Sequence, residues 1–314
     1  MNRRRWLIGL LVLWLVAAGS ASADAAAGML VSGSQLAAAT AQSLQARIAQ
    51  ARAADPDSFV AVRRVIEDAP RFAEQARHRR ALITPALRAI GPRALWPLVE
   101  YIAFASPDRA AFTDQQWLDV RCGVLEAAGM IRDAQALPAF DAVLADPAQP
   151  PIVTRFAAEA VGRIGDDDAV RALQTRLAAA GGERRSAILA GMGQCRRAAV
   201  ARLLAAELRA SAPGETRSAL IEALRDVGNS WAWNTPAIAA SGEGETVRRV
   251  AAEALVGQFT RLTAPEQEAA TKALLVIDHP ATPALVAGVR AVGPEDRAAL
   301  DRLLARLQDN PLHH

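Results

Sequence analysis

Histidine is scarce and poorly placed for catalysis. The 314 residues hold four, His78, His279, His313 and His314, and none stands at metal-ligand spacing from Cys, Asp or Glu. No G-x-S-x-G elbow and no phosphate-cradling G-x-x-x-x-G-K loop occurs. The expectation is therefore no catalytic, no cofactor-binding and no metal-binding residue, and a protein that is not an enzyme. Lysine is reduced to Lys272 and aromatics to 4% of the chain; the replacement of Lys by Arg and the abundance of Ala read as base composition before they read as function. Only two cysteines are present, Cys122 and Cys195. Beyond residue 23 no stretch is apolar enough to span a bilayer, which takes roughly 20 residues.

The exception is the N-terminus. Arg3, Arg4 and Arg5 precede a run without polar residues from Trp6 to Ala18, followed by Ala21-Ser22-Ala23. A basic start, a short apolar stretch and an A-x-A site form a secretory signal, with cleavage expected before Asp24. No Cys lies near that site, so a lipid anchor is unsupported. The mature protein is expected to be exported and periplasmic, the alternative being a membrane tether made by the uncleaved segment. Cleavage also changes the charge. The full chain has 36 basic and 33 acidic residues, but residues 1–23 carry three arginines and no acid, so the remainder is balanced at 33 of each. A nucleic-acid partner is not expected of a neutral chain.

What the sequence has in plenty is repetition. Around Arg121, Thr154, Arg185, Arg217 and Arg248 the same positions recur at steps of 33, 31, 32 and 31 residues. The clearest copy is Val153-Thr154-Arg155-Phe156-Ala157-Ala158-Glu159-Ala160-Val161-Gly162-Arg163-Ile164-Gly165-Asp166. Such a period marks a stacked array. Counting from these residues as zero, apolar side chains fall at minus one, plus three, plus six or seven and plus ten, one side of a helix. Ala127, Ala160, Gly191, Ala223 and Ala254 at plus six keep that side thin. A Gly or polar turn follows, with Asp133 and Asp166 placed to cap a second helix, and Pro138 lies in that helix's first turn. Each unit is then an αα-hairpin. Cys122 and Cys195 belong to units one and three, about 16–20 Å apart at the usual layer spacing of 8–10 Å, so no disulfide between them is expected.

These units resemble HEAT repeats, most closely the short HEAT-like type of phycobilin lyase subunits. The matching residues are Thr154 to Leu177 and Arg121 to Phe140, with a weaker copy from Arg80 through Ala89-Ile90-Gly91-Pro92-Arg93-Ala94-Leu95 to Val99. The resemblance implies an all-α fold, a right-handed α-solenoid of the ARM-like type whose Arg-bearing helices line the concave surface. The expected division is a signal at 1–23, a flexible lead at 24–33, a helical cap with degenerate repeats at 34–118, repeats at 119–260 and a C-terminal cap at 261–310. Within the caps, helices are expected over 34–54, 57–67, 283–292 and 294–308. The box Thr263-Ala264-Pro265-Glu266 opens another, ending at Ile277. A longer connection is expected at 105–116.

Candidate contacts follow from the register. Position plus five carries Glu126, Glu159, Glu222 and Glu253, nearly opposite the apolar arc. They form an acidic row for a basic segment of a partner, or an ordinary solvated face paired with Arg155 and Arg249, four residues earlier. Arg121, Arg185, Arg217 and Arg248 are expected to hold the stack in register by pairing with turn carboxylates. Of the Trp231 and Trp233 pair, the second aligns with core positions and the first points outward, where it is either an interface residue or a ring folded over the short segment that follows; Ser241-Gly242-Glu243-Gly244-Glu245 behind it reads as a loop able to move. Asp166-Asp167-Asp168 is a helix start and not a cation site. The expected function is an exported binding scaffold for a protein or peptide. A chromophore-handling role like that of the phycobilin lyases is an alternative that the export signal opposes, and the His-Glu pairs with which HEAT-built deoxyhypusine hydroxylases hold iron are absent. Nucleic-acid binding of the kind found in HEAT-like glycosylases is opposed by the charge.

Overall fold

The computed structural model describes residues 27–75, 83–292 and 297–311; the expected signal peptide lies outside them. Seventeen α-helices follow one another among these residues: α1 Ala38–Ala54, α2 Pro56–Glu67, α3 Ala69–Gln75, α4 Thr84–Ile90, α5 Leu95–Ala103, α6 Asp114–Ile131, α7 Leu137–Ala145, α8 Pro151–Ile164, α9 Asp167–Ala178, α10 Gly182–Met192, α11 Ala198–Ala210, α12 Glu215–Val227, α13 Pro236–Ala239, α14 Gly244–Gln258, α15 Ala264–Ile277, α16 Thr282–Val292 and α17 Arg297–Gln308. No β-strand is present among the described residues; Ala27 and Ser32 form a single isolated bridge.

Two layers are built from these helices. Successive packing runs α4 on α6, α6 on α8, α8 on α10, α10 on α12 and α12 on α15, which makes the first layer; α5, α7, α9 and α11 lie behind it, and α14 and α16 continue that second layer. The result is an all-α solenoid with a continuous apolar seam between layers, from Leu44 and Val62 near the start to Leu300 and Leu303 near the end.

The repeat chemistry explains the close stacking. A Cβ on Gly129 of α6 would lie 2.6 Å from Ala160 Cα of α8, and one on Gly191 of α10 would lie 2.5 Å from Ala158 Cβ. Small residues at these heights let first-layer helices touch through their backbones. The turns read as expected: Gly165 ends α8 with φ 72°, Asp166 accepts from Ala169 N–H, Asp133 accepts from Gln135 N–H, and Pro138 sits at the start of α7. Arg132 takes the same left-handed conformation as Gly165, with φ 61°.

Two expectations need correction. Residues 27–33 are no flexible lead: Met29, Leu30 and Val31 are buried, and their N–H groups donate to carbonyls of Tyr101, Ile102 and Ala105 at the end of α5. Three apolar residues in a row let this segment pack against the end of α5, and Gln149 Nε2, between α7 and α8, donates to the Leu30 carbonyl at 2.7 Å. The second concerns the fifth unit. Its helix α14, bearing Arg248 and Glu253, packs on α11 in the second layer, while α15 takes the place on α12. The reason lies in residues 229–243. Asn229 caps a 3-10 turn, Ser230–Asn234, and α13 is one turn long. Too short to cover α11, this insert leaves the second-layer place to α14. Glu243 fixes the arrangement by pairing with Arg197 Nε at 2.8 Å and accepting from Ala198 N–H at the start of α11.

Candidate functional site

The expected acidic row divides into three environments. Glu126 of α6 accepts from Thr84 Oγ1 at 2.7 Å and lies 3.9 Å from Arg163. Glu159 of α8 is buried, with Arg155 Nε and Arg163 Nη2 both at 3.0 Å. These two carboxylates bind α4, α6 and α8 together and are spent on that task. Arg163, only 6% exposed, is the residue that the spacing did not single out. It stands one turn after Glu159, so its guanidinium folds back over both acids. Glu253 and Arg249 are exposed on α14, in the other layer. Glu222 of α12 remains exposed on the first layer.

Around Glu222 the first-layer surface is hollowed. One hollow, about 350 Å³, lies across α8, α10 and α12; its floor includes Ala187, Ala190 and Ala219, and its rim includes Arg155, Glu183, Glu215 and Glu222. A second, about 230 Å³, continues between α12 and α15, with Glu222, Arg225, Glu268 and Lys272. Small side chains at helix positions that face outward are what leave this room. Arg155 already pairs with Glu159, and Glu268 has Lys272 at 3.4 Å and Arg306 at 3.6 Å. Among the described residues, Glu183, Glu215 and Glu222 have no cation within the 4.0 Å of an ion pair. The hollow is therefore negative on its rim and apolar at its base.

The register arginines do not pair chiefly with turn carboxylates. They hold carbonyls at the ends of neighbouring helices: Arg185 donates to Leu177 O at 2.9 Å, Arg217 to Ser211 O at 2.6 Å, and Arg248 to Ile277 O at 2.9 Å. Helix C-termini leave carbonyls unsatisfied and carry partial negative charge, so a guanidinium there stabilises by about 0.3–1 kcal/mol, more when partly buried. Carboxylates are added where the geometry allows, Glu207 to Arg185 at 2.8 Å and Glu266 to Arg217 at 3.6 Å. Arg121 donates to the side chain of Gln149.

Trp231 is 53% exposed, as its register position suggested, but it lies beyond the end of α12 in the 3-10 turn and does not line either hollow. Trp233 is half-buried against the core, its ring 3.0 Å from where a Gly244 Cβ would stand. The Ser241 to Glu245 stretch is held through Glu243, as described above. Cys122 and Cys195 are both buried, and burial pushes the Cys195 thiol up to about 12. Among the described residues no cluster of three His, Cys, Asp or Glu side chains is placed to hold a metal, and no helix is long and apolar enough to cross a membrane.

In a comparison with protein families, the model for HEAT repeats matches residues 109–193, from the turn before α6 to the end of α10. Comparisons with curated proteins and with solved structures find no match. The matched stretch holds the units in which first-layer and second-layer helices alternate without interruption. Residues 109–193 are thus similar to HEAT repeats, and they form the α6–α10 stack of an all-α solenoid.

Proposed function

We propose that the protein is an exported, non-enzymatic scaffold that seats a cationic segment of a protein partner on its first layer. The observation that carries this reading is the hollow across α8, α10 and α12, rimmed by Glu183, Glu215 and Glu222 without cation partners among the described residues. Extended solenoid faces bind through many modest contacts, and an apolar floor under an acidic rim suits the aliphatic stems and charged heads of Arg and Lys. The basic start and A-x-A site at the N-terminus support export to the periplasm. HEAT arrays commonly mediate protein contacts, which supports the class of partner.

The test uses protein purified from the cell envelope, whose N-terminal residue should be Asp24, and a fluorescent Arg-rich peptide as probe. Binding should weaken with salt. Glu222→Arg and Glu183→Arg should each lower affinity about tenfold, the equivalent of about 1.4 kcal/mol. Glu253→Arg, in the other layer, should leave it unchanged. Equal losses in all three variants, or none, would refute the proposed face.

A further inference from the structure

A stacked array exposes the apolar face of its last unit unless polar residues cover it. The final helix, α17, packs on α16 and on α15, and between α15 and α17 a groove of about 540 Å³ stays open. Its base is apolar, with Phe259 and Leu303 both buried there. Four charged side chains line it, Arg302 and Arg306 against Glu268 and Asp309, so the groove is neutral as a whole. A neutral lining over an apolar base does not suit a polyion of either sign.

Two of these charges are satisfied within the chain and two are not. Glu268 lies 3.4 Å from Lys272 and 3.6 Å from Arg306. Arg302 and Asp309 are exposed and have no ion-pair partner among the described residues; Asp301, beside Arg302 in sequence, is taken by Arg290 Nε at 2.6 Å. Both stand in places that are unfavourable in a single copy. Arg302 precedes the like-charged Arg306 by one turn, and Asp309 follows the last turn of α17, where helix carbonyls already carry partial negative charge. The Asp309 N–H donates to Ala305 O at 3.2 Å, so this residue continues the helical turn. From 302 to 309 is nearly two turns and about 10 Å of helix, which puts Arg302 and Asp309 on one side of α17 with Ala305 between them.

We propose that α17 of a second copy occupies this groove, antiparallel to the first, about a two-fold axis level with Ala305 and Arg306. Arg302 then faces the partner's Asp309, and Asp309 faces the partner's Arg302, so each unfavourable charge is relieved by the other. The small side chain of Ala305 lets the helices approach at the axis, and Arg306 beside it has Glu268 as its counter-charge. An interface that uses the same patch on both copies closes at two. The opposite end of the array offers no such match. In the groove of about 450 Å³ beside α1 and α5, Arg52 and Glu100 are already bonded to each other, so head-to-tail stacking on that end would leave Arg302 and Asp309 unpaired. One helix of 12 residues, about 18 Å long, makes a small interface, and the association is of micromolar strength. Glu183, Glu215 and Glu222 are not in the groove, and the pairing does not depend on the proposed cationic partner.

The experiment is sedimentation equilibrium of the purified protein from sub-micromolar concentration upward. The parent should pass from monomer to dimer and go no further. Arg302→Asp and Asp309→Arg, each at an exposed position, should each raise the dissociation constant about tenfold, because like charges then stand opposite across both symmetric pairs. The double variant, Arg302→Asp with Asp309→Arg, should dimerise like the parent. Mixed in equal amounts, the two single variants should pair with each other although neither pairs well with itself, since one copy then brings two acids and the other two arginines. Each of four results overturns the proposal: a monomer at every concentration, association that continues past the dimer, single variants that dimerise as well as the parent, or a mixture no more associated than its components.

Discussion

One methyl group at position 191 would land 2.5 Å from Ala158 Cβ and 2.6 Å from the Arg155 carbonyl oxygen. Gly191→Ala must therefore push α10 away from α8, and overpacking of this kind costs about 1–3 kcal/mol. Urea denaturation should show that loss, whereas Gly181→Ala, with nothing within 4 Å of its Cβ, should shift stability by less than about 0.5 kcal/mol. The small residues at plus six and the burial of Cys195 were legible in the sequence, because packing alone dictates them. The fates of Glu126 and Glu159 were not. Both occupy the position that is solvated in Glu222; Arg163 covers Glu159 from the next turn and Glu126 from the neighbouring helix, and Thr84 reaches Glu126 from a helix 42 residues away. Spacing places a carboxylate on a face; it does not say which neighbour will cover it.

Helix starts and ends followed local rules closely. The box at Thr263 and Glu266 opens α15 and Ile277 closes it, as their residue types require. The layer to which a helix belongs is a different matter. Arg248 and Glu253 repeat the first-layer pattern at the proper step, yet α14 sits behind α12, because the choice is made by the length of the preceding insert and by Glu243. In the first layer α15 is fixed by Glu266. Burial alone would raise its carboxyl pKa, but hydrogen bonds from Thr263 and from Gly214 N–H, with the Arg217 charge, outweigh that and hold it below its ordinary value. A depressed folded pKa contributes stability above the unfolded value, about 4.3 for Glu, and loses it as pH falls through the folded one. The stability gap between the parent and Glu266→Gln should be constant from about pH 6 to 8 and shrink below about pH 4. A gap that does not narrow in acid would show that the charge of Glu266 is not what holds α15 to α12.

The whole molecule has no central core, so its cohesion is the sum of contacts between neighbours. Units in the middle have neighbours on both sides; α1 and α17 do not. Amide hydrogen exchange should therefore be slowest in α6, α8 and α10, where the first-layer contacts are closest, and fastest in α1, α16 and α17, with a graded rise between them. Uniform protection along the chain would contradict a quasi-one-dimensional array. Architecture was the most legible scale, since a 31–33 residue period with hairpin chemistry has few other solutions. The packing of Met29, Leu30 and Val31 against the end of α5 was missed because three apolar residues give no periodicity.

The exchange of layers after α12 sets where such a chain can grow. Between α6 and α11 first-layer and second-layer helices alternate without a break, so an additional copy of residues 150–181 would find matching surfaces on both sides and lengthen the molecule by about 10 Å. A duplicate of residues 217–247 would repeat a front helix with its short insert and supply nothing to stand behind it. Variation in copy number is thus open upstream of Arg217 and closed downstream, and the rearrangement at α14 acts as a terminus that duplication cannot cross.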